Sequence, residues 1–307
     1  MGQLAFVFSG QGAQTAGMGR ALYEGAPAAR RVLHTLDALH PGLLALCFDG
    51  PDELLTQTRH AQPALLAVGL AAAAAAQEAG LVPDCCAGFS LGEWTAAAFA
   101  GLISPGRALP LVARRGQWMQ ECGEQAPGAM SAVLRLDRER VETLCAQHPG
   151  VWPANDNAPG QVVVSGTLEA LAAFEKALPA AGGRAMRLKV SGAFHSPLMQ
   201  QAADRLADAL AQEELREPAY PLYSNVTARP YGAARAAQLL ARQVTSPVRW
   251  QDTVRAMADA GVDRFVELGP GGVLCGLIAK IVPQARCARA DTPQALQEAL
   301  TMMGATT

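Results

Sequence analysis

Short apolar runs alternate with longer, alanine-rich segments along most of this chain. The runs at residues 4–8, 85–88, 222–224 and 265–268 have the length and composition of buried strands. The longer segments predict helices over residues 19–39, 63–79, 91–100, 105–121, 196–212 and 247–260. Strands and helices that alternate in this way are typical of a parallel sheet covered by helices. We therefore expect a large α/β domain with a parallel sheet and helices on both of its faces.

The middle of the chain has a different order of elements. Strands are predicted at residues 129–136, 151–155, 161–165 and 185–190, and helices at residues 137–147 and 167–181. The order strand, helix, strand, strand, helix, strand is that of the ferredoxin-like arrangement. We expect a small ferredoxin-like subdomain at residues 127–191, inserted into a discontinuous large domain of residues 1–126 and 192–307. Ligand sites tend to lie in the cleft between two domains.

Composition and charge exclude several classes of protein. The chain has 307 residues, half of them hydrophobic, which is enough to bury a sizeable core. Its formal net charge is -2, and it has no basic run interleaved with aromatic residues, so nucleic acid is not expected as a partner. The most apolar stretch, residues 65–76, is too short to span a membrane and predicts a buried helix.

The cysteines and the N-terminus bear on the cellular compartment. The seven cysteines are scattered, and no pair has C-x-x-C spacing. They predict reduced, mostly buried thiols of a cytoplasmic protein, with neither a disulfide framework nor a metal site. The first apolar run begins almost at once, and it is too short and too uncharged for a signal peptide.

The sequence Gly88-Phe89-Ser90-Leu91-Gly92 joins a predicted strand to a predicted helix. A serine with a glycine two residues away on each side, at such a junction, is typical of the nucleophile turn in hydrolase-like α/β domains. The glycines allow the backbone to pack closely on both sides of the turn. The pattern predicts acyl transfer through Ser90, with the backbone N–H of Leu91 at a helix start where it can meet an oxyanion. The alternative is an ordinary N-cap serine.

A serine nucleophile needs a base, and the chain has five histidines. His195 lies in a loop of small residues, 191–197, where the chain returns to the large domain. Its imidazole can take the proton of Ser90 and return it to a departing thiol; an exposed loop histidine is the alternative. The second ring nitrogen then needs an acceptor, either a carboxylate or a backbone carbonyl. The remaining histidines lie in less favourable surroundings: His34, His40, His60 and His148.

A glycine-rich turn at residues 9–14 follows the first predicted strand. It does not fit a dinucleotide fingerprint, because the third glycine is displaced to Gly17, and no lysine follows as in a P-loop. We favour a backbone N–H donor, that of Gln11, directed at an oxyanion. A non-catalytic nucleotide-binding subunit is the alternative from another class of protein.

Seven motifs follow one another along nearly the whole chain. They lie at residues 8–14, 88–93, 115–120, 155–161, 192–195, 246–250 and 267–271. Together they resemble, in the expected order, the malonyl-CoA:acyl carrier protein transacylases and the acyltransferase domains of polyketide and fatty acid synthases. The resemblance implies that Ser90 is the nucleophile and His195 its base. It further implies that the N–H groups of Gln11 and Leu91 form the oxyanion hole, and that the backbone carbonyl of Gln243 orients His195.

The resemblance also implies how the acyl group is selected. Arg115 would clamp the free carboxylate of a malonyl group, because the guanidinium fork matches a carboxylate; the alternative is a surface arginine. Phe194 would crowd out an α-methyl branch, unless it only packs under its loop. Asn157 is a further pocket residue. Phe89 departs from the family, which usually has histidine before the nucleophile, so one polar contact is missing at this turn.

The implied reaction is a ping-pong transfer of malonyl from coenzyme A to the phosphopantetheine-type thiol of an acyl carrier protein, through a malonyl ester of Ser90. The CoA thioester is the substrate, and neither a permanently bound cofactor nor a metal is expected. Two settings fit: fatty acid synthesis, or malonyl loading in a malonate decarboxylase with its other subunits as partners. Phe89 and the alanine-rich sequence favour the second setting without deciding it. A serine thioesterase or hydrolase with the same turn is the alternative enzyme.

Overall fold

The computed structural model describes residues 2–304, in which ten strands form two sheets. The strands are β1 Gln3–Phe8, β2 Cys85–Gly88, β3 Gly128–Leu134, β4 Val151–Ala158, β5 Gln161–Thr167, β6 Arg184–Arg187, β7 Leu222–Tyr223, β8 Pro230–Tyr231, β9 Val262–Leu268 and β10 Arg286–Arg289. The helices are α1 Arg20–Gly25, α2 Pro27–Leu39, α3 Leu43–Asp49, α4 Asp52–Leu55, α5 Thr58–Glu78, α6 Leu91–Phe99, α7 Pro105–Gln125, α8 Arg138–Ala146, α9 Leu168–Ala177, α10 Gln200–Leu210, α11 Ala233–Arg242, α12 Trp250–Asp259, α13 Val273–Ile281 and α14 Pro293–Met303.

The larger sheet has the strand order β10-β9-β1-β2-β7-β8. Its strands run parallel except for β8, which pairs antiparallel with β7 at one edge. Phe8, at the end of β1, lies opposite Gly88 at the end of β2 and opposite Leu268 at the end of β9. The carboxyl ends of the central strands therefore meet at one edge, where ligand sites of α/β sheets form. The predicted parallel sheet is confirmed.

Side chains of β1 alternate between two cores, as the geometry of a strand requires. Leu4, Phe6 and Phe8 are buried in a core shared with α2, α5, α6 and α7. Ala5 and Val7 point to the other face and pack with residues of α12 and α13. Helices thus cover both faces of the sheet, which explains why β1 is apolar at every position from Leu4 to Phe8 rather than at alternate ones.

The second sheet is antiparallel, with the strand order β4-β5-β3-β6. Helices α8 and α9 cover one face, where Leu171 and Phe174 are fully buried among valines of the sheet. Both helices begin at side-chain caps: Asp137 accepts a hydrogen bond from the N–H of Arg140, and Thr167 accepts one from the N–H of Ala170. This is the expected ferredoxin-like order of elements. The division of the chain at residues 127 and 191 stays a prediction.

Main-chain hydrogen bonds join the second sheet to Val248, in the segment before α12. The N–H of Val248 donates to the carbonyl of Ala154 over 2.8 Å, and the N–H of Asp156 donates to the carbonyl of Val248 over 2.9 Å. Arg138, at the start of α8, pairs with Asp156 at 3.2 Å and with Asp252 of α12 at 2.7 Å. These contacts fix β4 against the segment that precedes α12.

Several element boundaries differ from the predictions. The segment 19–39 is two helices, because Pro27 disfavours helical backbone at Ala26, which is extended with φ -131° and ψ 110°. Helix α5 begins at Thr58, five residues before the predicted start, and Pro63 lies inside it. The sequence pattern also missed short or terminal elements, namely α3, α4, α11, α13, α14, β8 and β10.

The prediction that every cysteine is reduced is wrong for one pair. Cys275 of α13 and Cys287 of β10 form a disulfide, with their Cα atoms 5.4 Å apart. The sequence spacing gave no sign of it, because the pair is made by the packing of α13 against β10. The other five cysteines are free and buried: Cys47, Cys85, Cys86, Cys122 and Cys145.

Two features are absent from residues 2–304, namely a membrane-spanning helix and a cluster of metal-ligating side chains. No helix in this range combines the length and the apolar character that crossing a membrane requires. No group of three or more His, Cys, Asp or Glu side chains in the same range is placed to hold a metal ion.

We predict that Gly88→Ala destabilises the fold. A Cβ at this position would overlap the backbone of Gly92 and Glu93, which cannot move without displacing α6. We expect a loss of about 3 kcal/mol in the free energy of unfolding, measured by urea denaturation. Gly276→Ala is the matched control. Gly276 lies in the middle of α13, and a Cβ there would point into open space. We expect the free energy of unfolding of this variant to rise by about 0.5–1 kcal/mol. Equal stability of the two variants would contradict the tight packing at Gly88.

Candidate active site

Ser90 occupies the turn between β2 and α6 with φ 53° and ψ -105°, a backbone conformation that non-glycine residues rarely adopt. The turn is this sharp because α6 starts directly above the strand ends. A Cβ on Gly92 would overlap the carbonyl of Phe8, and one on Gly88 would overlap Gly92 itself. Both glycines of the motif are therefore required by backbone contacts, and together they hold the Ser90 side chain at the sheet edge.

The structure places His195 against Ser90. The hydroxyl oxygen of Ser90 lies 2.7 Å from Nε2 of His195. On the other side of the ring, Nδ1 lies 2.9 Å from the carbonyl oxygen of Gln243 and 3.2 Å from that of Ser246. Because carbonyls only accept hydrogen bonds, Nδ1 carries the ring proton and Nε2 is left to accept the proton of Ser90. His195 also has a positive φ of 58°.

Burial sets the protonation state of His195. The pKa of this imidazole is lowered to about 4, first by loss of hydration and then by the nearby positive charge of Arg115. The carbonyls of Gln243 and Ser246 oppose the shift but do not reverse it. The ring is therefore neutral at pH 7 and able to act as a base.

Two backbone N–H groups lie at the sheet edge next to Ser90. Gln11 follows β1 by way of Ser9 and Gly10, and Leu91 is the first residue of α6. Within residues 2–304, neither N–H has a hydrogen-bond acceptor. Strands β1 and β2 are neighbours whose ends are in register, and Gln11 lines the same cavity as Ser90. A free backbone N–H beside a reacting group can stabilise negative charge that develops there.

Arg115 of α7 is fully buried beside this space rather than exposed on the helix surface. Its terminal nitrogens donate to the side-chain oxygen of Gln62 over 2.6 Å and to that of Gln243 over 2.9 Å. Its Nε–H has no partner among the described residues, so donors remain for a ligand. Burial lowers the pKa of Arg115 to about 9, and the nearby Glu93 opposes the shift, so the guanidinium is charged at pH 7.

Glu93 of α6 is a second fully buried charged group. One of its oxygens accepts hydrogen bonds from the side-chain amide of Gln243 over 2.5 Å and from the backbone N–H of Asn225 over 3.1 Å. Burial raises the pKa of this carboxyl to about 7, against the effect of these hydrogen bonds and of Arg115. Gln243 thus holds His195 through its backbone and contacts both buried charges through its side chain.

A cavity of about 140 Å³ opens beside Ser90 and His195, between the two sheets. The large domain contributes Gln11 and Phe89 to its wall. Most of the remaining wall is apolar and comes from Met119, Met130, Val163, Leu188, Val190 and Phe194. The cavity is therefore a small, largely apolar chamber with Ser90 and His195 in its wall. Arg115 lies behind this wall, where Gln62 bridges it to Met119.

Phe89 and Asn157 lie where this chamber meets a second cavity of about 200 Å³, which extends to Val273 and Leu274 of α13. The Phe89 ring packs edge-on against Trp250, with centroids 5.7 Å apart, and offers no hydrogen-bonding group. The side-chain oxygen of Asn157 is buried without a partner among the described residues, and it is therefore a ready acceptor for a ligand N–H.

Sequence reasoning predicted Ser90, His195 and Arg115 for the site but missed the residues that hold them. Gln62, Glu93 and Asn225 were not predicted to belong to the site. Each had a weak signal, since a charged or amide side chain in an otherwise apolar segment needs a buried partner. The sequence could not identify those partners, because they come from residues up to about 150 positions away, as for Gln243 and Glu93.

Comparisons with known proteins point to one family. A family model described as the acyl transferase domain matches residues 5–295. The malonyl CoA-acyl carrier protein transacylase of Bacillus subtilis (strain 168) is 38% identical, over 98% of this chain and 97% of that protein. The crystal structure of malonyl CoA-acyl carrier protein transacylase from Clostridium perfringens has a TM-score of 0.95 and 33% identity, over 98% of this chain and 97% of that one.

A third relative was solved with a partner. It is a malonyl-transacylase in complex with a type II PKS acyl-carrier protein, with a TM-score of 0.94 and 38% identity, over 97% of this chain and 99% of that one. The family match covers most of the chain, and the identities hold over nearly full lengths. By sequence and by structure, this chain belongs to the acyl transferase domain family, in the group of the malonyl CoA-acyl carrier protein transacylases.

Proposed function

We propose that this protein transfers a malonyl group from coenzyme A to the thiol of an acyl carrier protein, through a malonyl ester on Ser90. The observation that carries the proposal is the 2.7 Å contact between the Ser90 hydroxyl and the Nε2 of a neutral His195, beside a chamber with a buried arginine. The names of the relatives support the same donor and acceptor.

The reaction takes place in two half-reactions at one site. His195 takes the proton of Ser90 as the hydroxyl attacks the thioester carbonyl, and the N–H groups of Gln11 and Leu91 stabilise the oxyanion. The C–S bond then breaks, and His195 returns the proton to the CoA thiolate. In the second half-reaction the carrier thiol gives its proton to His195 and attacks the ester, and Ser90 regains its proton as it leaves.

Arg115 selects an acyl group that ends in a carboxylate. Its unpaired Nε–H can form a charge-assisted hydrogen bond, and burial of the side chain strengthens such a bond by excluding water. Phe194, which forms part of that wall, leaves little room for a branch on the α-carbon. Together the two residues favour malonyl over both acetyl and α-methyl-branched groups.

The proposal names the partners as substrates. The CoA thioester enters through the second cavity, where Phe89 and Asn157 line both compartments, and no permanently bound cofactor takes part. The acyl carrier protein is the acceptor, in line with the relative solved with such a partner. We place the reaction in the cytoplasm, in fatty acid synthesis or in malonate decarboxylase, where other subunits of that enzyme would be further partners.

The direct test is intact-protein mass spectrometry after mixing with malonyl-CoA. We expect a covalent adduct with the mass of a malonyl group on the native protein and none on Ser90→Ala. Ser104→Ala, at an exposed helix start away from the site, should be labelled like the native protein. Addition of carrier protein should discharge the adduct faster than water does. Rapid release of malonate without a carrier would instead indicate a thioesterase.

The carboxylate clamp predicts a change in selectivity. In Arg115→Ala, the ratio of kcat/KM for malonyl-CoA to that for acetyl-CoA should fall by about 10- to 100-fold, the equivalent of one charged hydrogen bond. Arg114→Ala is the matched control, since Arg114 is the exposed neighbour that stacks on Trp118. Unchanged selectivity in the folded Arg115 variant would refute the clamp.

The lowered pKa of His195 predicts an unusual pH profile. Lowering the pH protonates the base and stops acylation, but with a pKa of about 4 this happens well below the ordinary histidine range. The rate of malonyl-Ser90 formation at about pH 5.5 should stay close to its value at neutral pH, where a histidine of ordinary pKa would lose about tenfold. Glu93→Gln is the control for a change of rate near pH 7, because the Glu93 carboxyl has a pKa of about 7 and titrates there. A midpoint near 6.5 in both proteins would contradict the assignment.

A further inference from the structure

Asn225 lies in the loop after β7, next to the turn that carries Ser90. Strand β7 pairs with β2 through Cys86 and Leu222, so the residues after both strands continue side by side. Asn225 is fully buried, although an asparagine amide has both donors and an acceptor to satisfy. Its surroundings therefore decide whether it stabilises or destabilises this region.

The side chain of Asn225 bridges the peptide groups on both sides of Phe89. Its Oδ1 accepts a hydrogen bond from the N–H of Ser90 over 2.8 Å, and its Nδ2 donates to the carbonyl of Gly88 over 2.7 Å. The side-chain amide of Asn225 thus makes the two hydrogen bonds that the backbone of a neighbouring strand would make, two residues after β7 ends. Asn225 therefore binds the turn at Ser90, the residue with positive φ. Strained backbone of this kind persists only where its surroundings fix it.

Asn225 is itself held on several sides. Its backbone N–H donates to Glu93 over 3.1 Å, and its carbonyl accepts from the N–H of Arg249 over 3.0 Å. The side-chain amide of Gln243 lies 3.3 Å from Oδ1 of Asn225 and donates to the carbonyl of Ser90 over 2.9 Å. Because the Gln243 carbonyl also holds His195, one network sets the positions of both reacting side chains.

We propose that Asn225 is a positioning residue, whose amide fixes the Ser90 turn so that the hydroxyl meets His195 and the N–H of Leu91 stays free for the oxyanion. The inference rests on the proposed function. Asn225 takes up the N–H of Ser90, so this amide is not an oxyanion donor, and the donor pair is that of Gln11 and Leu91. The residue touches neither substrate nor leaving group and acts through the backbone of the turn.

The first test is Asn225→Ala, compared with the native protein in single-turnover acylation by malonyl-CoA. We expect malonyl-Ser90 formation to slow by about 10- to 100-fold, because small displacements of a nucleophile have effects of this size. The malonyl-CoA concentration that gives half the maximal rate should change by less than about threefold, since the chamber wall is untouched. A general loss of structure would instead change both the acylation rate and the malonyl-CoA concentration that gives half of it.

Ser224→Ala is the matched control. Ser224 is the fully buried neighbour of Asn225, and its hydroxyl accepts from the N–H of Val226 over 3.1 Å without contacting the Ser90 turn. We expect this variant to lose stability in thermal unfolding while its acylation rate stays within about twofold of native. Comparison of Ser224→Ala with Asn225→Ala therefore distinguishes the loss of any buried hydrogen bond in this loop from the loss of the one to the backbone of Ser90.

Asn225→Asp gives a rescue experiment that does not depend on the folding of the alanine variant. A protonated carboxyl reproduces both hydrogen bonds of the amide, since its C=O accepts from Ser90 and its O–H donates to Gly88, whereas a carboxylate has no donor. The charged or titratable groups that face this network are Glu93, Arg115, Tyr231 and His195. Burial and the Glu93 charge favour the protonated form of the introduced carboxyl as the pH falls.

The rescue is measured as the ratio of variant to native acylation rates between about pH 5.5 and pH 8, where His195 stays neutral. We expect the ratio to rise at least about fivefold toward the acid end. A flat ratio, or an alanine variant within about twofold of native, overturns the positioning role.

Labelling of Ser90 by a fluorophosphonate, run in parallel, distinguishes failure of the positioning role from failure of the proposed function. If native protein accepts this reagent but no malonyl group, the proposed function fails while the role of Asn225 is still tested by the same ratios.

Discussion

Gln243 makes the contacts on which the rest of the site depends. Its carbonyl accepts from His195, its side-chain oxygen accepts from Arg115, and its side-chain nitrogen donates to Glu93 and to the carbonyl of Ser90. One residue therefore connects His195, Arg115, Glu93 and the turn at Ser90. Because an unpaired buried polar group costs about 1–3 kcal/mol, these hydrogen bonds stabilise the network. Among the described residues, Nε of Arg115 and one oxygen of Glu93 have no partner.

Two strained residues show what this network achieves. Ser90 and His195 both have positive φ, and both are nearly inaccessible to water. Neither conformation would persist in an isolated peptide, since each costs about 1–3 kcal/mol. At Ser90 this conformation is fixed by the close approach of α6 to β1, through Gly92, and by the hydrogen bond that the Ser90 N–H donates to Asn225. The strain is thus supported by the large sheet and is stored where the chemistry takes place.

Burial lowers the pKa of both His195 and Arg115, yet the two groups differ in charge at neutral pH. It lowers the pKa of His195 and so keeps a free base at neutral pH, while Arg115 remains charged because its pKa falls only to about 9. The apolar chamber between the sheets makes the interaction of that charge with a carboxylate stronger than it would be in water. Phe89, packed on Trp250, continues this apolar surface to the neighbouring cavity.

The sequence by itself determined the parts of the protein that depend on local order. Apolar runs gave the parallel sheet, the order of strands and helices gave the four-stranded second sheet, and the glycines around Ser90 gave the sharp turn, because each follows from periodicity or from the space a backbone needs. Only the tertiary structure decided which distant residues meet. The Asn225 amide at the Ser90 turn, the glutamines around Arg115 and the bond between Cys275 and Cys287 join segments that are separated along the chain. Hydrogen bonds and disulfides of this kind form only when packing brings distant segments into contact. Local sequence patterns do not identify those segments.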